Sequence, residues 1–281
     1  MNAFSASDAA LEGFQVLRRH WRVVLGWCLF TVLGFVGLVV LAFIAIALAT
    51  LAATTRDQAG ALGGAVGGLI LGLGGAAIQW LVLAALYRMV LRPGEPPGTY
   101  YLRISKDEGR LFALWIVILI LFACLITAGY LVVRWLGQFG GLAGGVGTLL
   151  FVALMLWLAI RTSLAGPANF ATGRFGIADS WRLTRGRFWA LLGMALLAGC
   201  LLALIAVVLF VLVAVLQAAI GGFHTLAPVS LSDPQALAER PGAYVFGLIA
   251  ELAIGPIYLV IGQTPFVAAY QALSAEAQTK T

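Results

Sequence analysis

The residues of this chain best suited to binding chemistry lie together around the segment 175–189, FGIADSWRLTRGRFW. The basic and aromatic side chains of that region are Arg174, Trp181, Arg182, Arg185, Arg187 and Trp189. Arginines beside a long apolar run attract anionic lipid headgroups, and tryptophans settle at the membrane–water boundary. The pattern indicates a surface for anionic lipid or a partner protein; an anchoring belt that recognises no particular molecule explains it equally well.

Glu251 is the second candidate, because it is a carboxylate well inside an apolar run. An ionisable group at membrane depth is costly and points to a function with a named partner. The hypotheses are a proton or cation site, or a counter-ion for Arg134. A protonated or snorkelling glutamate that stabilises the helix bundle is the structural alternative.

The remaining residue types argue against catalysis and metal binding. His20 and His224 are expected on opposite sides of a membrane, and no nucleophile–base pair, P-loop or facing pair of carboxylates occurs. Cys28, Cys124 and Cys200 all lie in apolar runs without a CxxC motif. We therefore expect a non-enzymatic protein with no catalytic residue, no metal and no cofactor.

The elements that must carry these residues are long apolar segments. Of the 281 residues 62% are hydrophobic and only 10% are charged, against roughly 25% charged in soluble domains. Asp, Glu, Lys and Arg are absent from 23–55, 58–87, 111–133, 135–160, 188–232 and 252–275. Each interval suffices for the ~20 residues of a membrane span. The sequence predicts an all-α integral membrane protein with six transmembrane helices.

The basic residues are distributed unequally between the two sides of such a protein. Of the 17 lysines and arginines, all but Arg56, Arg134 and Arg240 fall on the side of the termini. Cytoplasmic connections carry this excess, so both termini are predicted to be cytoplasmic in a bacterial inner membrane. The net charge of +6 therefore reflects orientation and anionic headgroups, and no nucleic acid is expected as a partner.

The apolar segments are grouped by a weak internal repeat. We expect one polytopic membrane domain, 1–281, made of three hairpins at about 1–92, 93–165 and 166–274, with a disordered polar tail at 275–281. Each hairpin begins with a short amphipathic segment that carries basic residues. These segments predict cytoplasmic interfacial helices before transmembrane helices 1, 3 and 5.

A row of glycines marks the second apolar interval. Gly60, Gly64, Gly68 and Gly72 recur at every fourth residue. Small residues at this spacing lie on one face of a helix and let another backbone approach closely. The row predicts a tight helix–helix contact, either inside the bundle or between the protomers of a homo-oligomer.

The two basic connections also carry a family resemblance. YRMVLRPGEPPGTYYLRISKDEGRLF and SWRLTRGRFWALLGMAL resemble a family of bacterial six-helix membrane proteins similar to the membrane domain of glycerophosphoryl diester phosphodiesterase. Most members of that family are uncharacterised. The resemblance implies a membrane module, sometimes attached to a soluble phosphodiesterase domain. We expect no such activity in this chain, which has no soluble stretch of that size.

Three functions follow from these observations, in descending order. The first is a non-enzymatic membrane protein that organises lipid or a partner complex. The second is a permeation module for ions or small solutes, which predicts a water-filled cavity lined by Glu251, Gln79, Gln217 or Gln263. The third is an enzyme acting on lipid headgroups, which needs several polar groups converging at one depth.

Overall fold

A computed structural model of the protein describes residues 5–53, 55–94, 100–221 and 239–279. Within these ranges the chain forms nine α-helices and no strand. They are α1 (Ala6–Arg19), α2 (Trp21–Ala52), α3 (Arg56–Leu91), α4 (Lys106–Gly137), α5 (Gly141–Thr162), α6 (Ala165–Thr172), α7 (Ile177–Thr184), α8 (Phe188–Gly221) and α9 (Pro241–Gln278).

Six helical stretches are long and apolar enough to cross a membrane: α2, α3, α4, α5 with its continuation α6, α8 and α9. The most apolar part of α8 buries none of its residues inside the protein. Exposed leucines and valines are expected where a helix faces lipid, because lipid tails are as apolar as the side chains themselves. The prediction of an all-α multi-pass membrane protein with six crossing helices is confirmed.

The six helices pack around α9, which contacts α2, α3 and α8. Consecutive crossing helices also pair, with α2 against α3, α4 against α5 and α8 against α9. The α4–α5 pair reaches the other helices through α3, α6, α7 and α8. The internal sequence repeat and the hairpin boundaries themselves stay predictions.

Helix α1 packs into the bundle through its small residues. Ser5 caps its N-terminus by accepting a hydrogen bond from the Asp8 amide. Ala10 is fully buried, and a Cβ added to Gly13 would lie 2.8 Å from the backbone of Ile261 on α9. Leu11, from the predicted apolar face, is 45% exposed. Close backbone approach therefore holds α1 against α9.

The predicted interfacial helix before transmembrane helix 3 is wrong. Residues 102–105 are not helical, and Tyr100 and Tyr101 have positive φ angles of 55° and 61°. A capping box formed by Ser105 and Glu108 starts α4 at Lys106. No helix breaker follows, so the amphipathic residues become the first turns of the membrane helix itself.

Two short helices, α6 and α7, precede α8 where one was predicted. Gly173 and Gly186 separate them from the following helices with φ angles of +68° and +78°, which glycine adopts without strain. The predicted disorder of the C-terminal tail is also wrong, since α9 continues to Gln278. Leu273 is buried and Glu276 is held by an ion pair, which explains why the helix does not end earlier.

We predict that Gly13→Ala loosens α1 from α9. The added methyl group meets backbone rather than a mobile side chain, so overpacking should cost about 1–3 kcal/mol. The measurement is the thermal unfolding midpoint of the purified protein in detergent. Gly109→Ala is the matched control, because a Cβ there has no neighbour within 4 Å and both variants gain similar helix propensity. Equal midpoints for the two variants would contradict the close packing of α1.

Candidate functional site

The predicted binding residues lie on the connection that runs from α6 to α8. We call the set Arg174, Trp181, Arg182, Arg185, Arg187 and Trp189 the basic aromatic surface. Arg174, Arg182 and Arg185 are exposed, and Arg187 is half-buried. The exposed fractions of Trp181 and Trp189 are 40% and 80%. The structure therefore presents five of the six side chains to the surroundings, within two short turns of one another along the chain.

Helix α7 is fixed to the end of α5 by Arg161, whose role the sequence did not indicate. Its guanidinium donates to the Trp181 carbonyl at 3.2 Å and to Thr184 Oγ1 at 3.3 Å. The Ser180 hydroxyl donates to the Arg161 carbonyl at 2.6 Å. The guanidinium also lies 5.4 and 5.3 Å from the ring centroids of Trp157 and Trp181, a cation–π arrangement. Four kinds of contact thus hold α7 in one orientation.

Two arginines of the surface already have carboxylate partners. Arg182 contacts Asp179 at 3.0 Å within α7, with 79% of the arginine side chain exposed. Arg187 pairs with Glu276 near the end of α9. Exposed ion pairs contribute only about 0–1 kcal/mol, so an external anion can compete for both arginines.

A buried ion pair joins α3 to α4 at the same end of the bundle. Arg88 and Glu108 are 2% and 7% exposed and contact each other directly. The backbone amide of Ser105 donates to the same carboxylate at 2.7 Å, and Arg88 also donates to the Tyr101 carbonyl. Removing one partner would leave an uncompensated buried charge.

A second ion cluster joins that junction to α6. Arg92 contacts Asp107 at 2.9 Å and donates to the Phe170 carbonyl at 3.0 Å, while its guanidinium lies 4.7 Å from the Phe170 ring centroid. Asp107 also pairs with Arg110. Both arginines therefore lie at the C-terminal end of α6, where the helix dipole favours positive charge. The two basic connections of the chain meet here.

The left-handed backbone at Tyr100 and Tyr101 is held by the same junction. The Trp27 indole donates to the Tyr100 carbonyl at 2.8 Å, and Arg88 donates to the Tyr101 carbonyl. Bulky residues in this conformation are strained and persist only where neighbouring groups hold them. The sequence gave no sign of this turn.

Glu251 lies exposed on α9, away from the basic aromatic surface. Among the described residues neither Glu251 nor Arg134 forms an ion pair, so the proposed counter-ion contact is not made. Gln217 donates to a backbone carbonyl of α9 at 3.1 Å, and Gln263 accepts from the Tyr87 hydroxyl at 3.4 Å. These bonds lie at different turns of α9. Permeation through a site at Glu251 stays a prediction.

The predicted glycine row faces away from the other described helices. A Cβ added to Gly60, Gly64, Gly68 or Gly72 would meet nothing within 4 Å. The neighbouring face of α3 makes the contact instead, since a Cβ on Gly67 would lie 2.7 Å from Ile46 of α2. A contact of the predicted row inside the bundle is therefore not formed, and a contact between protomers stays a prediction.

Other features of the described residues offer little chemistry. They contain no group of three or more His, Cys, Asp or Glu side chains placed to hold a metal. Burial, together with the nearby charge of Arg19, lowers the pKa of His20, which therefore remains neutral near pH 7. A groove of about 360 Å³ between α4 and α5 is lined almost wholly by apolar side chains, including Leu125 and Phe151.

No family model, curated protein or solved structure matches this chain. The resemblance to the six-helix family therefore stays a prediction that two connecting segments carry. The function is argued from the geometry of this chain alone.

We predict that Arg88→Gln and Glu108→Gln each destabilise the protein strongly. Either change leaves one buried charge without its partner, which costs about 3–5 kcal/mol. Arg182→Gln is the control, because it breaks an exposed pair worth about 0–1 kcal/mol. Thermal unfolding midpoints in detergent measure all three variants. A midpoint for Arg88→Gln as high as that for Arg182→Gln would show that the buried pair does not stabilise the junction.

Proposed function

We propose that this chain is a non-enzymatic protein of a bacterial cytoplasmic membrane that gathers anionic lipid at the inner leaflet through its basic aromatic surface. The observation that carries the proposal is the exposure of arginines and tryptophans on a helix held rigidly by Arg161. A protein complex assembled on the same surface is the alternative partner.

The chemistry of the surface favours a phosphate ligand. Arg174 and Arg185 are exposed and have no ion-pair partner among the described residues. Guanidinium groups form strong, bidentate hydrogen bonds with phosphate oxygens. Trp181 and Trp189 supply exposed indole rings, which favour the headgroup region over either water or hydrocarbon. Charged and aromatic groups therefore call for the same depth in a bilayer.

The charge distribution supports the inner leaflet. All but three of the 17 lysines and arginines lie on the side of the termini, which the positive-inside rule assigns to the cytoplasm. The inner leaflet is also the anionic one, and each basic residue near its surface contributes about 1 kcal/mol. Orientation and lipid binding thus follow from the same charges.

The state of the neighbouring carboxylates favours binding over catalysis. Asp107, Glu108, Asp179 and Glu276 are each held in an ion pair with an arginine. A general base must be able to accept a proton from the reacting group, and these carboxylates already compensate positive charge. The pairs act as structural ties in this proposal.

We predict that the double variant Arg182→Gln with Arg185→Gln retains less anionic lipid than the unaltered protein. At about 1 kcal/mol for each arginine, phosphatidylglycerol binding in native mass spectra should weaken by roughly tenfold or more. The control is Arg56→Gln with Arg134→Gln, which removes the same charge at the other end of the bundle. Identical lipid profiles for the two double variants would contradict recognition by the surface.

We also predict the orientation of the chain in labelling experiments on intact cells. After Cys28, Cys124 and Cys200 are replaced, a cysteine at Gln138 between α4 and α5 should react with an impermeant maleimide. A cysteine at the exposed Ala178 of α7 should react only after lysis. Modification of the α7 position from outside would reverse the topology and remove the inner leaflet from the proposal.

A further inference from the structure

We propose that the Arg187 guanidinium is a phosphate-binding position of the basic aromatic surface and that Glu276 occupies it when no anionic lipid is bound. A headgroup phosphate then displaces the Glu276 carboxylate and frees the last turn of α9. This inference rests on the proposed function, because it assumes that anionic lipid binds this surface.

The pair joins two distant parts of the chain. Arg187 Nη2 donates to Glu276 Oε2 across 89 residues of sequence. Arg187 lies between Arg185 and Trp189, which are both exposed, so it belongs to the surface that faces the headgroups. The side chains of Arg187 and Glu276 are 34% and 27% exposed, which leaves the pair open to an approaching anion.

The chemistry of the two anions makes them competitors. Carboxylate and phosphate both present paired oxygens that match the donor geometry of a guanidinium. Glu276 therefore marks a position where this surface already accommodates an oxyanion. A partly exposed pair is worth at most about 1 kcal/mol, whereas a bilayer leaflet offers phosphates at high local concentration.

The structure also indicates how much of the chain the exchange would release. Leu273 is the last buried residue of α9, and the residues from 274 to 279 are exposed or half-buried. Loss of the pair therefore frees the final turn without opening the core around Leu273. The Arg182–Asp179 pair differs, because both partners lie on α7 and its exchange would move no other element.

The test begins with Glu276→Gln in delipidated protein titrated with phosphatidylglycerol and followed by native mass spectrometry. Removing the competing carboxylate should tighten the apparent dissociation constant by about two- to fivefold. Glu12→Gln is the matched control, since it removes the same charge from α1 and Glu12 has no ion pair among the described residues.

The same titration with Arg187→Gln completes a double-mutant cycle. In the Arg187→Gln background, Glu276→Gln should change the affinity no more than Glu12→Gln does. A gain of the same size with and without Arg187, or an equal gain from Glu12→Gln, would overturn the competition and leave the proposed function standing. Equal binding of phosphatidylglycerol and phosphatidylcholine by the unaltered protein would overturn the proposed function and this inference together.

Hydrogen exchange of the unaltered protein gives an independent measurement that needs no variant. Phosphatidylglycerol should raise amide exchange in residues 274–279, whereas phosphatidylcholine should not. Amides around Leu273 and further into α9 should keep their protection with either lipid. Unchanged exchange at the end of α9 in a sample that visibly retains phosphatidylglycerol would overturn the displacement.

Discussion

The structure depends on the cost of leaving a charge unpaired in apolar surroundings. Six helical stretches consist almost wholly of residues that lipid accepts, so the charged side chains are confined to their ends. At one end, Arg88 and Glu108 are nevertheless buried, and they contact each other. That pair fixes the end of α3 against the start of α4, and the connection between these helices takes its conformation from the same arginine.

The arginines at this end of the bundle consequently divide into two groups. Arg88, Arg92 and Arg161 are committed to carboxylates, carbonyls or aromatic rings, and they join neighbouring helices. Arg174 and Arg185 extend from α6–α8 into the surroundings. The first group supplies the rigid support that the second needs, because an exposed side chain binds with less loss of entropy when its backbone is already fixed.

The candidate site was only partly predictable from the sequence. The basic and aromatic residues of 174–189 could be recognised because their types alone identify interfacial chemistry. The support from Arg161 could not, because it lies at the end of another helix and contacts α7 only in the folded chain. The glycine row shows the same limit. Its spacing identified a face of α3, but the face that contacts α2 lies one residue away, at Gly67.

The sequence by itself determined the class of protein, since apolar runs longer than the hydrocarbon layer can be satisfied only by helices that cross it. It also determined which residues lie at the helix ends, because charge is excluded elsewhere. Only the tertiary structure decided which of those charges pair, as with Arg88 and Glu108 or Arg187 and Glu276. Pairing depends on distances between helices, and a one-dimensional pattern of polar and apolar residues contains no such distances.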